Sequence, residues 1–386
     1  MNSNNQPGYV LIFSFIVISL VVIIATNISY VSIGHMFFSR TMIARERAKT
    51  LAWSGLQIAK AQLSFLPKKK EQKGKKPTED KEEKKDQKKE SGPKEVKVWD
   101  EGDAKEFLKN VYPLINSWQT FKISKDKFGV DGEIHLFITS DDGKIDLNQT
   151  FDFQERKFVN QGKAEGDFKK FYEQLFKEIS KHVGGKDLFK TFDQFLTKKE
   201  KFEQIYKNRQ NKLYDTTEFF KFKEFAVFQD HFVNVLASAK TERGKKKKNI
   251  YWTDIFTIWS GKKNISPWFI TDSIKRLLGF KFKEGQAVDQ KKKSIDGLLK
   301  KFKLNLSWPQ DWDTIFSSLY GIKYKSLPKW AKELFGTKFG PKTFSVLSYG
   351  IVDGIAQKLF VVLERKKMQQ NKKEFIKFDV KKLYWI

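Results

Sequence analysis

His35, His135, His182 and His231 are the residues best suited to acid–base or metal chemistry near neutral pH. They are scattered along the chain. None stands in H-x-x-H or H-E-x-x-H spacing and none accompanies a G-x-S-x-G turn, so neither a helix-borne zinc pair nor an activated serine is assembled. The chain has no cysteine, which removes disulfides, thiolate metal sites and thiol nucleophiles while leaving the redox compartment open. No glycine-rich phosphate loop is present. Asp141 and Asp142 are adjacent carboxylates of a kind that could face calcium, yet their spacing follows no calcium-loop rule, and no metal ligand is assigned. His135, between Ile134 and Leu136, reads as the outward residue of a strand. With no acid, base or nucleophile set, the expectation is a non-catalytic protein without an assigned cofactor.

Charge offers a second kind of chemistry. Lys and Arg number 74 against 46 acidic residues, a formal net charge of +28, which suits nucleic acid or anionic lipid. The excess is mostly Lys, is spread through the chain and comes with 37 Phe. Ten Trp and 11 Tyr add to these, with Trp252, Trp259 and Trp268 close in sequence. Such a mixture can stack single-stranded nucleic acid. Phe at helical spacing is core rather than platform, and the Arg forks that read phosphates bidentately are few, so no specific nucleic acid is expected.

The elements that must position these groups begin with an anchor. Tyr9 to Ile24 reads YVLIFSFIVISLVVII, and the mild stretch through Tyr30 extends it to about the 20 residues that cross hydrocarbon. Residues 1–7 carry no basic side chain and no small-x-small site follows, unlike an ordinary cleaved signal. Helical spacing then continues in ARERAKTLAWSGLQIAKAQLSFL. Ala44, Ala48, Leu51, Ala52, Gly55, Ile58, Ala59 and Leu63 form one stripe of mostly small residues, off which the charged residues fall. The spacing predicts a single helix of roughly 55 residues from Tyr9 to Pro67, where proline stops it. An anchor followed by a separate helix is the alternative.

Residues 67–97 form a Lys/Asp/Glu tract with almost no apolar residue, read as a solvated, disordered linker. Between Asp131 and Gln149 apolar and polar residues alternate around Asp142-Gly143, the pattern of a hairpin with Ile134, Leu136 and Ile138 on one face and Asn148 bonding local backbone. Phe, Leu and Ile at helical spacing predict a mostly helical domain over 166–335. Phe344–Val352 and Ile355–Leu363, joined by Asp353-Gly354, predict a hairpin with a type I′ turn, and FIKFDVKKLYWI supplies a last strand.

A short polar leader ending in Gly8, an apolar helix continued by ARERAKTLAWSGLQIAKAQL, the segment DDGKIDLN over Asp141–Asn148 and the closing strands together resemble the minor pseudopilins of type II secretion and type IV pilus machines. Within these the closest likeness is to the general secretion pathway protein K family. The resemblance implies an α+β fold: a pilin-like N-terminal helix on an antiparallel sheet, with an inserted mostly helical domain. It divides the chain into a leader (1–8), a transmembrane and pilin helix (9–66), the linker (67–97), a first part of the pilin-like domain (98–165), the insertion (166–335) and C-terminal strands that complete the sheet (336–386). It implies cleavage by prepilin peptidase between Gly8 and Tyr9 with methylation of the Tyr9 amine. Phe13 occupies the fifth mature position, where most pilins carry Glu and K-type members do not. Asp142, Gly143 and Asn148 carry the family signature, and DIFTIWSGKKNISPWF is similar to a second family segment, with Asn264 retained. The family implies calcium without naming its ligands here. The implied partners are the I- and J-type minor pseudopilins, prepilin peptidase, the inner-membrane assembly platform and membrane lipid, with the bulk of the chain in the periplasm. The cations nearest the span, Arg40, Arg45 and Arg47, all follow it. That arrangement alone favours a cytosolic domain, so a membrane-anchored basic protein that binds nucleic acid or anionic lipid is the alternative.

Overall fold

The computed structural model describes residues 7–65, 94–95, 99–163, 166–184, 188–197, 212–234, 250–280, 288–304, 310–336, 339–370 and 373–386. Most of the expected leader and almost all of the expected linker lie outside the described residues.

Helix α1 runs unbroken over Pro7–Leu63, 57 residues, or roughly 85 Å at the α-helical rise. Tyr9 and the apolar residues from Leu11 to Ile43 are exposed, and the helix is long and apolar enough to cross a membrane. This is consistent with single-pass anchoring. Ser19 and Thr26 donate their hydroxyls to the Phe15 and Val22 carbonyls, so neither presents an unpaired donor to lipid.

The upper part of α1 is buried along most of the stripe read from the sequence, at Ala44, Ala48, Leu51, Ala52, Gly55, Ala59 and Leu63; Ile58 of that stripe is only half-buried, and Leu56, outside it, is buried instead. It packs on an antiparallel sheet made of β2 (Trp118–Ile123), β3 (Gly132–Ser140), β8 (Thr343–Val352), β9 (Ile355–Gln370) and β10 (Lys373–Trp385), side by side in that order. A two-residue strand, β1 (Lys94–Glu95), pairs with Met368 and Gln369 of β9. Helix and sheet approach closely. A Cβ at Gly350 would lie 2.0 Å from the Ala48 carbonyl oxygen and 2.6 Å from the Ala52 nitrogen. One at Gly55 would lie 2.1 Å from Ser348 Oγ. The β8–β9 turn has Asp353 at φ 49° and Gly354 at φ 79°, the pair of left-handed residues a type I′ turn requires.

The top of α1 is closed by the far end of the chain. Buried Arg365 of β9 donates Nε to the Leu63 carbonyl and an Nη to the Phe65 carbonyl, both 2.9 Å, satisfying acceptors that a helix end leaves orphaned. Its guanidinium lies 5.2 Å from the Trp99 ring centroid and 5.4 Å from that of Phe107, a cation–π arrangement.

Ser140, the last residue of β3, pairs with Phe344 of β8. Residues 141–342 therefore leave and re-enter the sheet at one end, the end beside Leu63 and away from the apolar half of α1. Within this excursion α5 (Phe168–Val183) and α6 (Leu188–Thr197) bury Phe171, Tyr172, Phe176 and Phe192, and α5 starts on an Asp167 cap. Trp252 is fully buried among Phe219, Phe225, Phe228 and Phe256 and donates its indole N–H to Thr216. Trp268 is buried too. These two rings are core, and their faces are closed to stacking ligands. A second set, Phe232, Val233 and Trp259, lies against Phe137, Leu347, Tyr349 and Phe360 on the sheet.

One local expectation fails. Asp142-Gly143 does not join two antiparallel strands, because both edges of β3 are already taken by β2 and β8. Asp141–Gly143 forms a 3₁₀ turn instead, and the following strand β4 (Ile145–Asp146) pairs in parallel with β7 (Phe256–Thr257) from the excursion.

Candidate functional site

Two places hold the residues singled out by sequence. The first is the start of α1. Gly8 and Tyr9 fall in its first turn, and Tyr9 and Phe13 are exposed. The backbone at the expected cleavage point is thus helical. That turn opens easily, since its N–H groups have no intrahelical acceptor.

The second is a buried junction between the end of the sheet and the excursion. Asp141 accepts from Lys144 Nζ at 2.7 Å, Ser345 Oγ at 2.6 Å and Thr257 Oγ1 at 2.7 Å. Lys144 also donates to Ser345 at 2.9 Å. Asp142 Oδ2 meets Lys262 Nζ at 3.2 Å and the Lys342 backbone N–H at 3.2 Å, while its carbonyl accepts from Ser266 N at 2.6 Å. Asp146 accepts from Ser260 Oγ at 3.0 Å and Gly261 N at 2.8 Å. Asn148 does not bond local backbone; it takes both the N–H and the carbonyl of Leu213, each at 2.9 Å. Gly143 is needed for approach rather than for its φ angle. A Cβ there would lie 1.8 Å from the Phe269 carbonyl oxygen.

The sequence reading named Asp142, Gly143 and Asn148 but missed Lys144, Thr257, Ser260, Lys262 and Ser345. These come from three stretches of chain more than 80 residues apart, and only the GKKN run around Lys262 carried a local signal. Asn264 of that run donates to the Glu333 carbonyl at 3.0 Å.

Burial sets the electrostatics. It pushes the Asp142 carboxyl up to about 6, an effect that Lys262 only partly offsets. Burial likewise raises Asp146 to about 6 against the Gly261 and Ser260 donors, and Asp254 to about 6 against Lys144. Asp272 is also buried, yet Lys275 and Lys291 hold it below the ordinary range. The folded state therefore binds protons at Asp142, Asp146 and Asp254 more tightly than the unfolded chain, so stability rises as pH falls from 7 toward 5. The expected gain is on the order of 1 kcal/mol per carboxyl. Thermal midpoints of the full chain in non-ionic detergent should climb over that interval and then fall below about pH 4, where carboxylates of ordinary or lowered pKa take protons. A midpoint that drops steadily from pH 7 would show these groups to be better solvated than the structure has them.

Chemically the junction is closed except at Asp142 Oδ1, which is buried without a hydrogen-bond partner. Both oxygens of Asp141 are engaged by an ammonium and two hydroxyls and Asp142 faces Lys262, so this pair does not fit a calcium ion. Among the described residues no three His, Asp or Glu side chains converge as metal ligands. His135 Nδ1 lies 3.0 Å from Thr120 Oγ1 and Nε2 lies 2.9 Å from Glu133, so it is a paired strand residue rather than a free base. What the junction does is hold two parts of one chain together.

No protein-family model matches this chain, and no curated protein matches it significantly.

Proposed function

We propose that this protein is a non-catalytic minor pseudopilin of the K type, anchored in the inner membrane with its bulk in the periplasm. The observation that carries the reading is α1, a single unbroken rod with an exposed apolar lower half and an upper half seated by Ala and Gly on an antiparallel sheet. A rod of this design can stack against like rods inside a membrane-based filament. Residues 141–342 emerge at the end of the sheet away from the apolar half, where their bulk would obstruct a further subunit above. Exposed Phe13 lacks the carboxylate that would reach a distal neighbour's amine. Together these favour a position at the tip of a type II secretion pseudopilus, beside I- and J-type partners, assisting its assembly and protein export.

With prepilin peptidase co-expressed, wild-type protein is expected to begin at a methylated Tyr9 and Gly8→Ala to retain the leader, as read by intact mass and N-terminal sequencing. Normal processing of Gly8→Ala, or a wild-type chain that still begins with Met1, refutes the assignment.

A second reading, a cytosolic basic domain on the same anchor, draws on Arg40, Arg45 and Arg47 following the span. Protease added to spheroplasts separates the two: digestion of the domain favours the pseudopilin, and protection favours the cytosolic protein.

A further inference from the structure

Where α1 rises out of its apolar half, it does not lie flush on the sheet. A groove of ≈ 800 Å³ runs between α1 and the β2–β3 connection, walled by Met42, Ile43, Leu51, Ile58, Ile123 and Val130, with Phe128 at its lip and Arg47 along its rim. Phe128 is 66% exposed, a large ring standing in the open on the short helix α3 (Lys125–Phe128). An isolated soluble surface has little reason to keep such a ring beside an open apolar channel.

Position and charge identify the occupant. The exposed run of α1 from Tyr9 to Ile43, apolar apart from a few polar residues and Arg40 near its end, is about 50 Å long, against roughly 40–45 Å for a bilayer with its head groups. Met42 and Ile43 close that run and also form the groove's lower wall, so the channel is continuous with the membrane-facing surface. Arg47 lines the groove, Arg40 lies one turn below Ile43 on α1, and Lys125 and Lys127 share the short helix of Phe128; all four are exposed, and among the described residues none has a carboxylate within ion-pair distance. Of the acids nearby, Glu46 also lines the groove and pairs with Lys49 at 2.7 Å, Asp131 accepts from the Lys125 N–H and Glu133 holds His135, while Asp126 is exposed between Lys125 and Lys127, leaving a net positive charge.

We propose that this groove is a lipid seat, in which an acyl chain of an anionic phospholipid lies along the apolar walls, Phe128 enters the bilayer surface, and Arg47, Lys125 and Lys127 meet the head-group phosphates. The seat sets the tilt of the globular part relative to the membrane. It rests on α1 being a membrane anchor and holds on whichever side the domain lies.

The absence of cysteine makes a site-specific test direct. Single variants Val17→Cys, Phe128→Cys and Lys109→Cys of the full chain, each carrying an environment-sensitive fluorophore, are reconstituted in phosphatidylethanolamine–phosphatidylglycerol vesicles doped with nitroxide lipids. The Val17 label is expected to lose most of its emission to a nitroxide deep in the acyl region. The Phe128 label should shift blue and lose emission to one near the head group, whereas Lys109, on the side of Arg365, should respond to neither. Replacing phosphatidylglycerol by a zwitterionic lipid, or Lys125 and Lys127 by Glu, should weaken the Phe128 response and leave that of Val17 intact. A quenched Val17 with a water-like Phe128 overturns the lipid seat and leaves the anchor standing, whereas an unquenched Val17 overturns the anchor itself. A Phe128 label shielded only as protein density rises, and by no nitroxide lipid, assigns the groove to a second copy of the chain and likewise overturns the proposal.

Discussion

Gly350→Ala is expected to loosen α1 from the sheet, at a cost of roughly 3 kcal/mol, the upper end for an added methyl in a packed core. The reason lies in what the new atom would meet. At 2.0 Å from the Ala48 carbonyl oxygen and 2.6 Å from the Ala52 nitrogen, a Cβ at 350 collides with helix backbone, which has no rotamer to escape into. Either the helix lifts or β8 bends. The nearby Gly55→Ala is expected to cost less, because its closest obstacle is the Ser348 hydroxyl, a side-chain atom that can rotate away and whose Oγ has no hydrogen-bond partner to lose. Urea midpoints and limited proteolysis of the full chain in detergent provide the comparison. Equal stability of wild type and Gly350→Ala would mean that helix and sheet do not meet at this distance.

The second large effect falls at the junction. Gly143→Ala places a Cβ 1.8 Å from the Phe269 carbonyl oxygen and 2.4 Å from its carbon, again backbone against side chain. We expect a loss of roughly 3 kcal/mol, together with a consequence that a generic core defect would lack. Opening this turn admits water to Asp142, whose raised pKa depends first on burial. The variant should therefore lose part of the rise in thermal midpoint between pH 7 and 5 as well as stability. An Ala variant with the wild-type pH profile and midpoint would remove Gly143 from the junction. A variant destabilised without any change in profile would leave the close contact but detach it from the carboxylate.

What was legible in the sequence follows from how far each signal reaches. The stripe from Ala44 to Leu63 repeats every three to four residues, and Asp353-Gly354 sits between two apolar runs, so each names its own element without help from the rest of the chain. Helices α5 and α6 announce themselves in the same way. The placement of β3 beside β8 was not legible, since Ser140 and Phe344 are brought together across the whole excursion. The same distance defeated the reading of Asp142-Gly143, where a good local turn signal was overruled because β3 had no free edge left. Asn148 reaching Leu213, and Lys262 reaching Asp142, are likewise pairings between separate segments that no spacing rule announces. Gly350 and Gly143 carried no readable warning, as each is required by a neighbour's backbone rather than by its own φ angle.

The Arg365 clamp on Leu63 and Phe65 also dictates a timetable. Strands β8 and β9, against which much of the upper rod lies, and the side chain that seals its end are made only after the whole excursion, Arg365 coming 302 residues after Leu63. Until then, of the strands it packs on most, the upper rod has only β3, although the anchor is ready from the outset. Closure of the body thus waits on β8 and β9, and a polypeptide truncated before Arg365 would carry a finished anchor on an unfinished body.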